Sequence, residues 1–319
     1  MGSYLIKRIL VSLVTVFLVT VFVFLIIRML PGDPALVMLG EGASPQKVAE
    51  LRAELNLDKP LVQQYIIWVR DLLNGDFGVS VTYYHKQVAD MIPSKVAATL
   101  SLTVPALIIA IAIGVFAGTI SAVKRGSVID QIVTVLSTSG IGIPAFWIAI
   151  FMIFIFAVKL KWLPIQGYTS PSVDFPMYVK KAIMPIFCIA LNFMATITRQ
   201  TRSQMLEVIN QDYIRTARAD GLPERRVIMR HAIKNAAIPL VTVISLMFRM
   251  LVGGTIVIES VFNIPGIGAF ALNSLMSRDY ICVQAVTLIM ALVTIFGNLF
   301  ADIVFSILDP RIRERWAAK

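Results

Sequence analysis

The sequence predicts an all-α integral membrane protein with six transmembrane helices and a small helical domain after the first of them. Three observations carry this. The 319 residues are 57% hydrophobic and 15% charged, against roughly 45–50% and about 25% in soluble domains, and the mean hydropathy is +0.80. Apolar residues gather into six long runs near the roughly 20 residues that cross hydrocarbon. Lysine and arginine are also divided unequally among the connecting segments, as the positive-inside rule requires.

The first run, residues 9–27, has nineteen residues without a charge, about 28 Å of helix. Lys7 and Arg8 precede it. It exceeds the h-region of a signal peptide and no A-x-A site follows, so an uncleaved first span with its N-terminus inside is expected, occupying 1–30. Pro31-Gly32-Asp33-Pro34 then breaks the helix. Residues 31–95 are the long polar stretch. Leu51–Leu57 and Val62–Leu73 have helical spacing around Pro60, and Gly75-Asp76-Phe77-Gly78 reads as a turn. With eight acids and six Lys/Arg it lacks cytoplasmic character, and a helical extracytoplasmic domain is expected.

The second and third spans are expected at 96–123 and 131–158, 28 uncharged residues each, long enough to tilt or to extend past the bilayer. Pro105, Gly114, Gly118, Gly140, Gly142 and Pro144 interrupt them, as occurs where helices pack closely or line a cavity. Residues 159–181 form an outer loop, with Trp162 and Tyr168 suited to the interface. The fourth span is short, 182–198, and Arg199 and Arg202 end it. A charged segment, 199–235, leads to the fifth span at 236–258, with Arg249 inside. An outer segment, 259–280, leads to the sixth span at 281–308, with Asp302 inside, and a tail at 309–319.

With both ends inside, segments 1–8, 124–130, 199–235 and 309–319 hold sixteen Lys/Arg against seven acids. Segments 31–95, 159–181 and 259–280 hold eleven of each. Most of the net charge of +10 then lies on one face, and membrane topology explains it without nucleic acid, since no basic stripe is interleaved with aromatics. Two cysteines, Cys188 and Cys282, lie in or beside apolar runs, and two histidines, His85 and His231, stand in separate loops. No Cys/His cluster and no HExxH points to metal.

The segment Asp212–Pro239 is the most charged in the chain. Asp212 can cap a short helix over 213–220, and Gly221 and Pro223 mark its end. Ala217, Ala219 and Gly221 would let another backbone approach, with arginines around them for ion pairs. A docking helix and a solvated basic loop both fit these residues.

This segment resembles the cytoplasmic loop of ABC-importer permeases, E-A-A-x(3)-G-x(9)-I-x-L-P, with Gly221 at the glycine, Asp220 at the acid often before it and Ala217 at the second alanine. It departs at Arg215, where glutamate is usual, at Thr216 for the first alanine and at Lys234 for the proline. Leu30–Pro34 (LPGDP), Leu55–Leu61 with Gly75–Ser80 (GDFGVS), Glu259–Gly268 (ESVFNIPGIG), Arg278-Asp279-Tyr280 and the C-terminal DPRIR narrow the resemblance to the B-component permeases of peptide/nickel importers, over essentially the full length.

The resemblance implies the type I ABC-importer permease fold and a multi-pass protein of the bacterial or archaeal inner membrane, with both termini cytoplasmic. It implies a second homologous permease, two cytoplasmic ATPase subunits and an extracytoplasmic substrate-binding protein as partners, besides membrane lipid. ATP and Mg would sit on the ATPases and no cofactor on this chain, which has no Walker P-loop. Tyr213, Arg215, Thr216, Ala217, Arg218, Asp220 and Gly221 would couple ATP closure to alternating access. Peptides are the substrate it favours. Glutathione or chelated nickel importers share the pattern.

Arg249 is an ionisable residue within a span and should face protein or water, either as a pathway residue or in an ion pair. Glu259, Pro265, Gly266 and Gly268 are gate candidates in a segment that reads as a re-entrant turn or a structural hairpin. Asn298 and Asp302 share a helix face and read as structural polar residues. A secondary transporter would show inverted repeats and mid-membrane ion-binding charges, and neither is evident. An intramembrane enzyme would need an acid–base constellation that these residues do not form.

Overall fold

The structure, a computed structural model, describes residues 2–29, 34–40, 42–80, 82–83 and 86–308. Leu30 to Asp33 of the LPGDP stretch, His85 and the 309–319 tail lie outside the described residues. So do the side chains of Arg249 and Asp302. The described chain is helical, and its β-structure is a single bridge between Val79 and Gln87.

The helices are α1 (Gly2–Arg28), α2 (Pro34–Leu39), α3 (Pro45–Glu54), α4 (Leu61–Leu73), α5 (Val88–Val123), α6 (Val128–Gly142), α7 (Ala145–Met152), α8 (Phe175–Ile209), α9 (Asp212–Ala219), α10 (Glu224–Arg226), α11 (Ile233–Gly254), α12 (Ile256–Val261), α13 (Ile267–Met276) and α14 (Tyr280–Leu308). π-Helical turns at Ile153–Lys159 and Val227–Ala232 extend α7 and join α10 to α11. Among the described residues four helices are long and apolar enough to span a membrane, five if α6 and α7 form one broken span. The 22-residue α11 lies where the fifth run was expected.

Several boundaries differ from hydropathy. The fourth apolar run, 182–198, belongs to a 35-residue helix, α8, about 52 Å long. Its N-terminus is set by Asp174, whose carboxylate accepts from the Met177 amide, and by a proline in the first turn, so the helix begins inside the expected 159–181 loop. α5 likewise begins at Val88 rather than 96. The third run does not cross as one tilted helix: α6 and α7 meet at 103°. Pro144 has no N–H to donate and holds Ile143 extended, at φ −87°, ψ 125°, as the residue before proline prefers. The fifth run is divided at Thr255 between α11 and α12. In the polar segment, Ser44 caps α3, and the helix ends before Leu55, ahead of Asn56 at φ 55°.

The chain divides into two compact units. One comprises residues 100–264 with 300–308, and the other the described residues of 2–99 with 265–299. In the first, α8 packs against α6, α7 and α11. Its core joins Leu102, Ala106, Met184, Cys188, Ile197 and Phe262. α5 approaches α8 closely at Gly114 and Gly118. A Cβ on Gly118 would lie 2.6 Å from the Thr198 carbonyl oxygen, and one on Gly114 2.7 Å from Ile197 Cγ2. Two glycines four apart are the small-residue contact by which membrane helices come together.

In the second unit α4 lies on the end of α1. Tyr65 and Trp68 close around Phe24, with ring centroids 5.3 and 5.8 Å away. Tyr65 Oη and Thr20 Oγ1 are 2.8 Å apart. Asp279 ties the unit together: Oδ2 accepts from Ser80 Oγ at 2.5 Å and from the Thr82 amide at 3.1 Å, and Oδ1 accepts from the Cys282 amide in the first turn of α14. The GDFGVS and RDY stretches, far apart in sequence, meet at this carboxylate.

Candidate functional site

The helix α9 is built from its ends inward. It starts at Asp212, one residue before the expected start. Gln211 is the N-cap and makes no side-chain cap bond. Asp212 therefore does not cap the helix. As the first helical residue, its carboxylate favours the N-terminus through the dipole and lies 3.6 Å from Arg215 Nη1. Both side chains are strongly exposed, so this pair adds little.

The other end is a Schellman turn. Gly221 sits at φ +75°, its amide donates to the Arg218 carbonyl, and the Leu222 amide donates to that of Ala217. Glycine takes this left-handed position without a Cβ penalty. Across the turn, Glu224 receives two bonds from the Arg218 guanidinium: Nη2 to Oε1 at 2.8 Å and Nε to Oε2 at 3.1 Å. These bonds hold the Glu224 carboxyl below its ordinary pKa, with burial opposing and the arginine's charge assisting.

One face of α9 is sunk into the chain itself. Ile214 is fully buried and Ala217 is 8% exposed. They join a cluster with Ala122 of α5, Met205 of α8, Val227 and Ile228 of the π turn, and Ala236 of α11. This corrects the expectation that Ala217 offers itself to another protein: its small side chain lets α9 lie close on its own helices. Arg218 is likewise committed to Glu224. The exposed face is Tyr213, Arg215, Thr216, Ala219, Asp220 and Gly221, with Tyr213 at 44%. α9 is thus docked on the ends of three long helices, α5, α8 and α11.

A charged clamp lies nearby in the same unit. Asp130 of α6 receives two bonds from Arg202 of α8, one from Ser121 Oγ and one from the Gly126 amide. Neither it nor Glu224 was singled out from sequence. For Asp130 the available signal was a lone acid in the basic segment 124–130, whereas Glu224 is one of four acids in 199–235, and the partner of each is set by folding.

The remaining candidates are dispersed. Glu259 is fully buried and accepts from Thr255 Oγ1 at 3.0 Å. Pro265 is exposed, whereas Gly266 and Gly268 are buried, at the start of the short apolar helix α13. Asn298 is partly buried, and its Oδ1 has no hydrogen-bond partner among the described residues.

Residues 110–314 match the family described as binding-protein-dependent transport system inner membrane component, and residues 1–103 match the N-terminal region of such components. The chain belongs to this family. It is thus a membrane component of a binding-protein-dependent transport system, a multi-pass protein of the inner membrane. The permease is 36% identical over 313 residues to a probable peptide ABC transporter permease of Sinorhizobium fredii, covering 98% of this chain and all of that one. It is 37% identical over 314 residues to the oligopeptide transport system permease AppB of Bacillus subtilis, covering 98% and 99%. Its fold is similar to a chain of the MetNI methionine ABC transporter in an inward-facing conformation, at a TM-score of 0.54 and 17% identity, over 69% of this chain and 96% of that one.

Proposed function

We propose that this permease forms half of the translocation pathway of an ATP-driven peptide importer, with α9 as the element that receives the ATPase stroke. The similarity to peptide permeases runs the length of the chain, and that carries the substrate class. The docking of α9, with a buried apolar face and an exposed polar one, supports the coupling role. In this reading a second homologous permease completes the pathway. Of the two ATPase subunits, which carry ATP and Mg, one docks on the α9 face, and an extracytoplasmic binding protein delivers the peptide. No cofactor is held by this chain, which is a transport subunit and not an enzyme. Both termini and α9 are cytoplasmic, and residues 31–95 are outside. Alternating access then needs two arrangements of the spans that ATP closure biases differently.

The test is crosslinking in the assembled transporter. Thr216→Cys should crosslink to an ATPase subunit, in a manner that changes with ATP, while proteoliposomes carrying the unmodified transporter accumulate labelled dipeptide only with ATP. A Thr216→Cys that never reaches the ATPase removes the coupling role. ATP-independent uptake removes the importer reading.

A further inference from the structure

The second unit holds a cavity of about 270 Å³ that the transport reading does not use. All of its lining comes from that unit: the end of α1, α2, α3, the segments on either side of α4, α4 itself and the start of α14. A cavity of 150 Å³ holds benzene, and drug-sized pockets begin at about 300 Å³. The space therefore suits a molecule the size of an amino acid or a dipeptide.

Its polar lining is incomplete. Arg28 is half-buried, with its guanidinium 3.7 Å from the Phe24 ring centroid. Nε donates to Gln64 Oε1 at 2.8 Å, and Gln64 is anchored in turn by donating to the Lys59 carbonyl. The guanidinium is thus held in place. Among the described residues no carboxylate pairs with it. Gln284, 8% exposed, also lines the cavity, and among the described residues its amide nitrogen has no partner. An unmet amide donor in a buried position carries a desolvation cost that an acceptor-bearing ligand would relieve, and the guanidinium beside it favours an anionic one.

The acids are Glu54, Asp71 and Asp76. Asp76 accepts from the Gly78 amide, while Asp71 and Glu54 make no ion pair among the described residues. With Trp68 beside them, they favour an ammonium. We propose that this cavity binds a small zwitterion, a free amino acid or dipeptide. Its carboxylate meets Arg28 and Gln284, and its ammonium meets Asp71 and the neighbouring acids. One arginine against three carboxylates disfavours a simple anion. The site rests on its lining chemistry, not on the transport reading.

The experiment uses the whole transporter in phosphatidylcholine nanodiscs, without binding protein, and measures equilibrium binding of radiolabelled alanyl-alanine. Saturable binding is expected. It should weaken at least tenfold with Arg28→Gln, and at least tenfold when alanyl-alanine amide replaces the dipeptide. The two losses should not add, because they remove the same contact. Asp71→Asn and N-acetylation of the dipeptide should behave as a second such pair. The ligand-side changes need no variant, and Gln284→Leu serves if Arg28→Gln does not assemble. Absence of saturable binding overturns the proposal. So does binding indifferent to Arg28→Gln and Asp71→Asn, as a pathway site would give. Co-purified phosphatidylethanolamine lost on Arg28→Gln, with no dipeptide binding, overturns it in favour of a lipid. A transporter that imports peptides but fails these tests loses this site alone.

Discussion

Arg202 holds Asp130 through two parallel hydrogen bonds, Nε to Oδ1 at 2.7 Å and Nη2 to Oδ2 at 2.9 Å. The pair joins α6 to α8 beside the end of α5. The Asp130 side chain is 6% exposed and that of Arg202 28%, so removing one partner strands the other in a largely dehydrated place. Asp130→Ala should cost about 3–5 kcal/mol, seen as a large fall in the thermal midpoint of the solubilised protein. Arg202→Met should add little to the loss in the double variant. Additive losses would mean the two residues act separately.

The α5–α8 approach gives a second expectation. Gly118→Ala places a Cβ against backbone, the Thr198 carbonyl oxygen, which cannot rotate away. Overpacking of this kind costs about 1–3 kcal/mol. Gly142→Ala is the control, since nothing lies within 4 Å of its added Cβ, and it should stay within about 0.5 kcal/mol. Equal tolerance of both would contradict the close contact.

On α9, position decides the outcome of bulky substitution. Thr216→Trp projects outward and should leave the protein folded and assembled, while uptake per ATP hydrolysed falls several-fold. Ala217→Trp projects into the cluster of Met205, Ile214 and Val227 and should lower stability itself, by at least about 1–3 kcal/mol. Thermal unfolding alongside coupled uptake separates the two. A destabilised Thr216→Trp with an unaffected Ala217→Trp would reverse the assigned faces.

The Arg218–Glu224 clamp predicts a local pH dependence. The Glu224 pKa is depressed in the folded chain, chiefly by the Arg218 hydrogen bonds. Its contribution is thus present above the unfolded glutamate value and is lost as pH falls through the lowered folded value. Amide exchange at 220–226, corrected for intrinsic rates, should become less protected across that acidic window. Glu224→Gln should flatten the response. A pH dependence that survives Glu224→Gln would assign it elsewhere.

The apolar runs and Gly221 were legible because each rests on a local rule: the length of hydrocarbon to cross, and the one residue at ease with φ +75°. Helix ends were less so. α5 and α8 continue past their apolar runs because caps and backbone bonds, not hydropathy, end a helix. Pro144 announced an interruption, but a bend of 103° is visible only once α6 and α7 are both placed. The small side chains of Ala217, Ala219 and Gly221 invited an outward reading of Ala217, and its packing on α5, α8 and α11 turned it inward.

The sequence by itself determined the membrane class, the approximate place of the helices and the family to which the chain belongs. These follow from composition, run length and short motifs read along the chain. Tertiary structure alone decided which face of α9 is free, that Arg202 answers Asp130 across 72 positions, and that Ser80 answers Asp279 across 199. It also placed the Arg28 guanidinium beside a cavity, with no counter-ion among the described residues. A carboxylate's partner depends on which helices pack together, and the energies that choose among distant partners arise only when burial removes water from both.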